Sequence, residues 1–246
     1  MTELLQTAQK NLTFLAVCLA VTAAIVLLAR LFERILPAER RALSPARRVS
    51  FVALFSALAG VLMLLEIPLF FAPSFYKLDL SELPVLICAF YLGPTAGVVC
   101  EFLKVALKLL LKGTTTAFVG DFANFAVGCS FVLPAAVCYR KFKTKRGALL
   151  SMAVGTVCLT AFGSLFNAWY LLPKFCELYG MPMSAILEMS AAVNPDISSV
   201  ATLVLFAVVP FNLLKGVLVS ALTFVLYKRV ERLFFRTPRG GADVNL

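Results

Sequence analysis

Asn212 and Lys215 stand three residues apart in the run V-V-P-F-N-L-L-K-G, on one face of an apolar helix. An amide offers a donor and an acceptor; a lysine offers donors only. Polar groups sunk in such a helix are costly and mark a pathway or a site. No carboxylate lies near Lys215 on its own helix, so its partner is a carboxylate from elsewhere or an acceptor on a ligand. Pro210 frees backbone carbonyls beside them, and Asn212 could serve those instead. Further polar residues interrupt other apolar runs. Glu101 and Lys104 have the i, i+3 spacing of a self-neutralising pair. Asp121 falls in a first helical turn, where a carboxylate favours the helix dipole. Asn124 follows one turn on, as interhelical glue or a ligand contact. Asn167 neighbours Trp169 and Tyr170, residues typical of a membrane interface. Together these groups suggest a pocket open to the outside, suited to a neutral, flat heterocycle bearing carbonyls and an N–H. A metal is a poor fit, because carboxylates are few and histidine is absent. The missing histidine and the lack of paired catalytic carboxylates also argue against an enzyme. No G-x-x-x-x-G-K-[ST] motif is present for ATP hydrolysis.

The elements that must position these residues are membrane helices. The chain is 61% hydrophobic and 15% charged, against about half and a quarter in soluble domains. Its mean hydropathy is +0.93. The apolar residues come in blocks near the roughly 20 needed to cross a bilayer. Residues 11–36 predict a retained transmembrane helix with its N-terminus outside, followed by a basic linker at 38–48. Further helices are expected at 49–69, 118–139, 147–172 (ending at Pro173) and 200–227. Between them, 76–112 is too long for one crossing and is broken at Gly93-Pro94 and Gly97. It predicts two short helices folded back on each other, both outer ends on one side.

Charge supports that reading. The net +10 is gathered in short clusters between apolar blocks, which points to cytoplasmic loops and not to nucleic acid. Only the folded-back arrangement puts the linker and the dense cluster at 140–146 on the same, cytoplasmic side. The expected fold is all-α and polytopic: a six-helix core plus one extra N-terminal transmembrane helix. The expected units are 1–48 (extra helix and linker), 49–232 (core) and 233–246 (cytoplasmic tail), with core termini cytoplasmic in a multi-pass plasma-membrane protein. Loops at 70–80, 113–117 and 174–198 would lie outside. Lys104, Lys108 and Lys112 line one helix face and either snorkel outward or face a wet pocket. Seven cysteines without a C-x-x-C are small buried hydrophobes on this reading. Ala53 and Ala57 form a small-xxx-small pair, with Ser56 and Gly60 offset by three; such pairs serve internal packing or docking of another membrane subunit.

Several of these pieces resemble the S components of energy-coupling-factor (ECF) vitamin transporters over about residues 50–229. They are K-L-D-L-S-E-L-P-V-L, the G-P-T-A-G turn with E-F-L-K, T-T-T-A-F-V-G-D-F-A-N-F and V-P-F-N-L-L-K-G. The D-x-S-x-x-P and G-P-x-x-G parts are shared widely in that family, and F-N-L-L-K-G leans toward its riboflavin-specific members. The resemblance implies riboflavin as transported ligand with no cofactor, and Asn167, Asn212 and Lys215 as its contacts. It implies that Lys77 and Asp79 belong to an external loop closing over the substrate. It implies that Ala53 and Ala57 dock on the transmembrane coupling subunit, which two ABC-type ATPase subunits drive. An S component for pantothenate or folate is the alternative.

Overall fold

The computed structural model describes residues 2–36, 43–73, 76–114 and 118–230. The expected tail at 233–246, the linker from 38 to 42 and the end of the 113–117 loop lie outside these described residues.

Helix α1 (Thr2–Ile35) leads into α2 (Pro45–Leu64). The Ser44 hydroxyl accepts from the Arg47 N–H and Pro45 opens the first turn, so α2 starts four residues before the expected 49. A boundary at 48/49 therefore cuts through a helix. A two-residue ribbon follows that the all-α expectation lacked: β1 (Ile67–Pro68) pairs antiparallel with β2 (Lys77–Leu78), Ile67 opposite Leu78. Next come α3 (Glu82–Leu92), α4 (Pro94–Lys112) and α5 (Val119–Lys141).

The break between α3 and α4 falls at Gly93, as its sequence predicts. Its φ of 102° is open to glycine and strained for other residues. Its N–H closes α3 on Ala89 O, and Pro94 then opens α4. A Cβ on Gly97 would come within 2.6 Å of Ala89 Cβ, so the two helices touch almost backbone to backbone. At this turn Arg48 Nη2 donates to Leu92 O at 2.7 Å. Glu33 of α1 faces Arg48 and Arg140 and accepts from the Thr95 N–H. The basic groups thus gather where the hairpin turns. Its outer ends, with Lys112, Lys77 and Glu66, lie together elsewhere.

Two expectations for the second half need correction. The helix α6 (Lys145–Phe166) does not stop at Pro173; it runs through a π-turn at Asn167–Leu171 into α7 (Leu172–Tyr179). The supposed long loop at 174–198 holds the rest of α7 and a further helix, α8 (Met183–Ala191). The last helix has the same construction: α9 (Val200–Leu203), a π-turn at Val204–Val208, then α10 (Val209–Val230). Pro173 and Pro210 each follow a π-turn by two residues. An α-helix would aim the carbonyls of Trp169 and Phe206 at the prolines' missing N–H groups; both carbonyls lie inside the wider turns, where the chain steps five residues, Leu172 N–H to Asn167 O and Val209 N–H to Val204 O.

One core joins α2, α3, α5, α6 and α10 around Leu86, Phe131, Met152 and Tyr227. A second joins α1, α4 and α5 around Ala29, Val105 and Phe125. A third, smaller core packs α7, α8 and α9 against the ribbon loop through Ala72, Leu172, Ile186 and Leu203. Among the described residues five helices are long and apolar enough to cross a membrane; α3 is too short, and α4 carries Glu101, Lys104, Lys108 and Lys112. The chain is a multi-pass membrane protein, and all seven cysteines are free.

Candidate functional site

A cavity of about 640 Å³ opens between α5, α6, α10, the ribbon loop and α8. That is ample for a small heterocyclic ligand. All six expected contact residues line it: Lys77, Asp79, Asn124, Asn167, Asn212 and Lys215.

Lys215 is buried, and its carboxylates come from far along the chain. Its ammonium donates to Asp79 Oδ2 and lies near Glu82 Oε1, both at 3.0 Å. Asp79 also accepts from the Ser81 N–H and hydroxyl. Burial pushes the Asp79 carboxyl up, but Lys215 and Lys104 outweigh it and hold the group below the usual carboxylate range. Glu82 is the junction. The oxygen facing Lys215 also accepts from Lys104 Nζ at 3.1 Å. Lys104, fully buried, pairs with Glu101 as its spacing predicts and donates to Asn124 Oδ1 at 3.3 Å. One polar chain therefore runs from Asn124 on α5, through α4 and α3, to Lys215 on α10. Each member needs the others, since an unpaired charge in such a place is strongly destabilising.

Two lysines of the α4 stripe, Lys104 and Lys108, face inward, and Lys112 is exposed. Lys108 pairs with Asp121, which also accepts from the Thr114 hydroxyl at 2.6 Å. Asp121 is thus an ion-pair partner as well as a first-turn carboxylate. Lys112 meets Glu66 at the rim, where Lys77 joins at 3.0 Å. Burial opposes the Glu66 charge, yet hydrogen bonds from Lys112 and Lys77 keep its carboxyl below its ordinary value.

Asn212 sits against α6 where Gly163 leaves room. A Cβ there would approach Asn212 Nδ2 to 2.9 Å. Asn167 lies on the first π-turn, and the Tyr76 hydroxyl donates to its Oδ1 at 2.6 Å. Tyr76 also leans on Phe211, ring centroids 5.6 Å apart, and burial raises its phenol above the ordinary value. Trp169 is 77% exposed and stands outside the cavity, as an interface residue should. Phe175, Ile186 and Met189 add an apolar roof. Sequence reasoning passed over Glu82, Glu66, Tyr76 and this roof. Glu82 had one visible signal, its place in the acidic lead-in before an apolar helix.

Ala53 and Ala57 lie away from the cavity on the outward face of α2, whereas Ser56 and Gly60 are buried. Gly60 packs on Leu107 of α4. The two small-residue pairs therefore serve different faces.

Residues 47–227 match the family model described as ECF transporter, substrate-specific component. The chain belongs to the S components of ECF transporters. The riboflavin transporter RibU of Staphylococcus aureus (strain TCH60) is 30% identical over 190 residues, 77% of this chain and 93% of the relative. The riboflavin transporter FmnP of Bacillus subtilis (strain 168) is 28% identical over 186 residues, 75% and 92% of the two. A solved S component of a bacterial ECF transporter superposes with a TM-score of 0.63 at 29% identity, covering 78% of this chain and 100% of that one. This S component is a transport protein, not an enzyme. The whole of α1, Thr2–Ile35, lies outside the span that the family model matches.

Proposed function

We propose that this S component captures riboflavin from outside and delivers it inward when coupled to an ECF module. The observation that carries this is the cavity wall: three amides, Asn124, Asn167 and Asn212, converge with the Lys215 ammonium on a space with an apolar roof, and the other two lysines of the wall, Lys77 and Lys108, are held in ion pairs. The names of the relatives point to the same vitamin. Lys215 is already paired with Asp79 and Glu82 and Lys108 with Asp121, and Lys77 shares Glu66 with Lys112. An uncharged ring system enters such a site without bringing a counter-charge, and its carbonyls and N–H satisfy amide groups that water would otherwise hold. Neither pantothenate nor folate gains support from the relatives.

On this reading the vitamin-binding core begins with α2, at Pro45 rather than at 49, and runs to 232, with an added anchor before it and a cytoplasmic tail at 233–246. The α3–α4 turn and the cluster at 140–146 face the cytoplasm, and the ribbon loop and α8 face outside. Ala53 and Ala57 give the transmembrane coupling subunit a close approach to α2, and two ABC-type ATPases supply the energy. The test is the absorption spectrum of the purified protein. Protein made with riboflavin in the medium carries a bound flavin band; protein that stays colourless after riboflavin is added overturns the proposal. Ala57→Leu is expected to keep the flavin band while weakening co-purification of the coupling subunit.

A further inference from the structure

We infer that Lys104 is a positioning residue: it turns the Asn124 amide so that an N–H donor, not a carbonyl, faces the cavity from α5. This inference rests on the riboflavin reading for its ligand, but its geometry does not. Lys104 is fully buried and does not itself line the cavity; Asn124 does. The contact between them is Lys104 Nζ to Asn124 Oδ1 at 3.3 Å. An asparagine amide can usually be turned either way, and its orientation is a matter of inference. Here the partner settles it. An ammonium has donors and no acceptor, so only the amide oxygen can face it. The amide nitrogen is left for the ligand.

Lys104 is held to this task from two further sides, by Glu82 of α3 and Glu101 of its own helix. Gly128, one turn beyond Asn124, allows it: a Cβ there would overlap the Glu101 carboxylate. The pair Glu101–Lys104 is thus more than a device that lets α4 enter the membrane. It fixes the chemical character of the opposite helix. With Lys215 also a pure donor, two walls of the cavity present N–H groups. The ligand edge that meets Asn124 is then an acceptor, a ring carbonyl or an unprotonated ring nitrogen.

Lys104→Met leaves Glu101 buried without its cation and Glu82 with Lys215 alone, and can simply unfold the chain, so the deciding variant is Asn124→Asp. It keeps size and an oxygen for Lys104, and replaces the donor by an acceptor. Riboflavin affinity, read by fluorescence quenching, is expected to fall by roughly tenfold or more. Among 5-deaza-, 2-thio- and 4-thioriboflavin, one analogue binds wild type more weakly and shows little further loss in Asn124→Asp. Lys104→Arg, also a pure donor, retains the wild-type ranking of analogues. Riboflavin affinity unchanged by Asn124→Asp, or losses that add independently for all three analogues, overturn the inference. Wild type that does not bind riboflavin overturns the function proposed above instead. The same comparison made with folate, whose pterin carries acceptors, then decides the donor assignment.

Discussion

At the scale of single residues, the site turns on where one buried ammonium finds its charge. Lys215→Ala leaves Asp79 and Glu82 facing each other without it, and flavin affinity is expected to fall by roughly 100-fold. Acid should act on the same contact. The Asp79 carboxyl is held below its ordinary value, so its charge contributes fully above the ordinary carboxylate range and is lost as pH falls through the lowered value. Thermal unfolding in detergent should therefore give a midpoint that is flat from about pH 6 to 8 and drops below about pH 4. A midpoint that fell between pH 8 and 6 would place a different group in control. Much of this residue pattern was legible: Asn212, Lys215 and Asn167 announce themselves as polar groups in apolar runs. What supplies the charge of Lys215 was not. Asp79 is 136 residues away and reads locally as part of a solvated loop. Only folding puts it at 4% exposure.

At the scale of elements, two kinds of interruption place the side chains. Glycine does it at Gly93 and Gly163. Gly93→Ala forces a left-handed φ on a side chain beside Glu33, and is expected to cost about 1–3 kcal/mol, read as a lower unfolding midpoint. Gly163→Ala pushes on Asn212, and should weaken flavin binding while leaving the unfolding midpoint of the ligand-free protein nearly unchanged; equal binding would remove Asn212 from the site. Proline does it at Pro173 and Pro210, each following a π-turn. The Gly93 break was readable because Gly-Pro ends one helix and starts another. The continuation past Pro173 was not, because proline as a helix stop is the commoner outcome and a π-turn leaves no sequence mark. The same misreading hid α8, whose nine residues between Pro182 and Asn194-Pro195 look like loop.

At the scale of the whole molecule, α1 stands apart from the cavity. No described residue of α1 lines the cavity, and α1 meets the core through Ala29 and the Glu33 contacts with Arg48, Arg140 and Thr95. Glu33→Ala is expected to lower the unfolding midpoint and leave flavin affinity as it is. The all-α, multi-pass character was visible in hydropathy because bilayer thickness constrains every crossing, and five helices among the described residues meet that length. The closure of the cavity was not, since the ribbon loop, α8 and the π-turns meet only in three dimensions.

The most direct test is an equilibrium titration of riboflavin fluorescence with purified wild type and Lys215→Ala. Stoichiometric quenching by wild type, with roughly 100-fold weaker binding in the variant, is the predicted result. Quenching that survives the loss of Lys215, or none in wild type, contradicts the account.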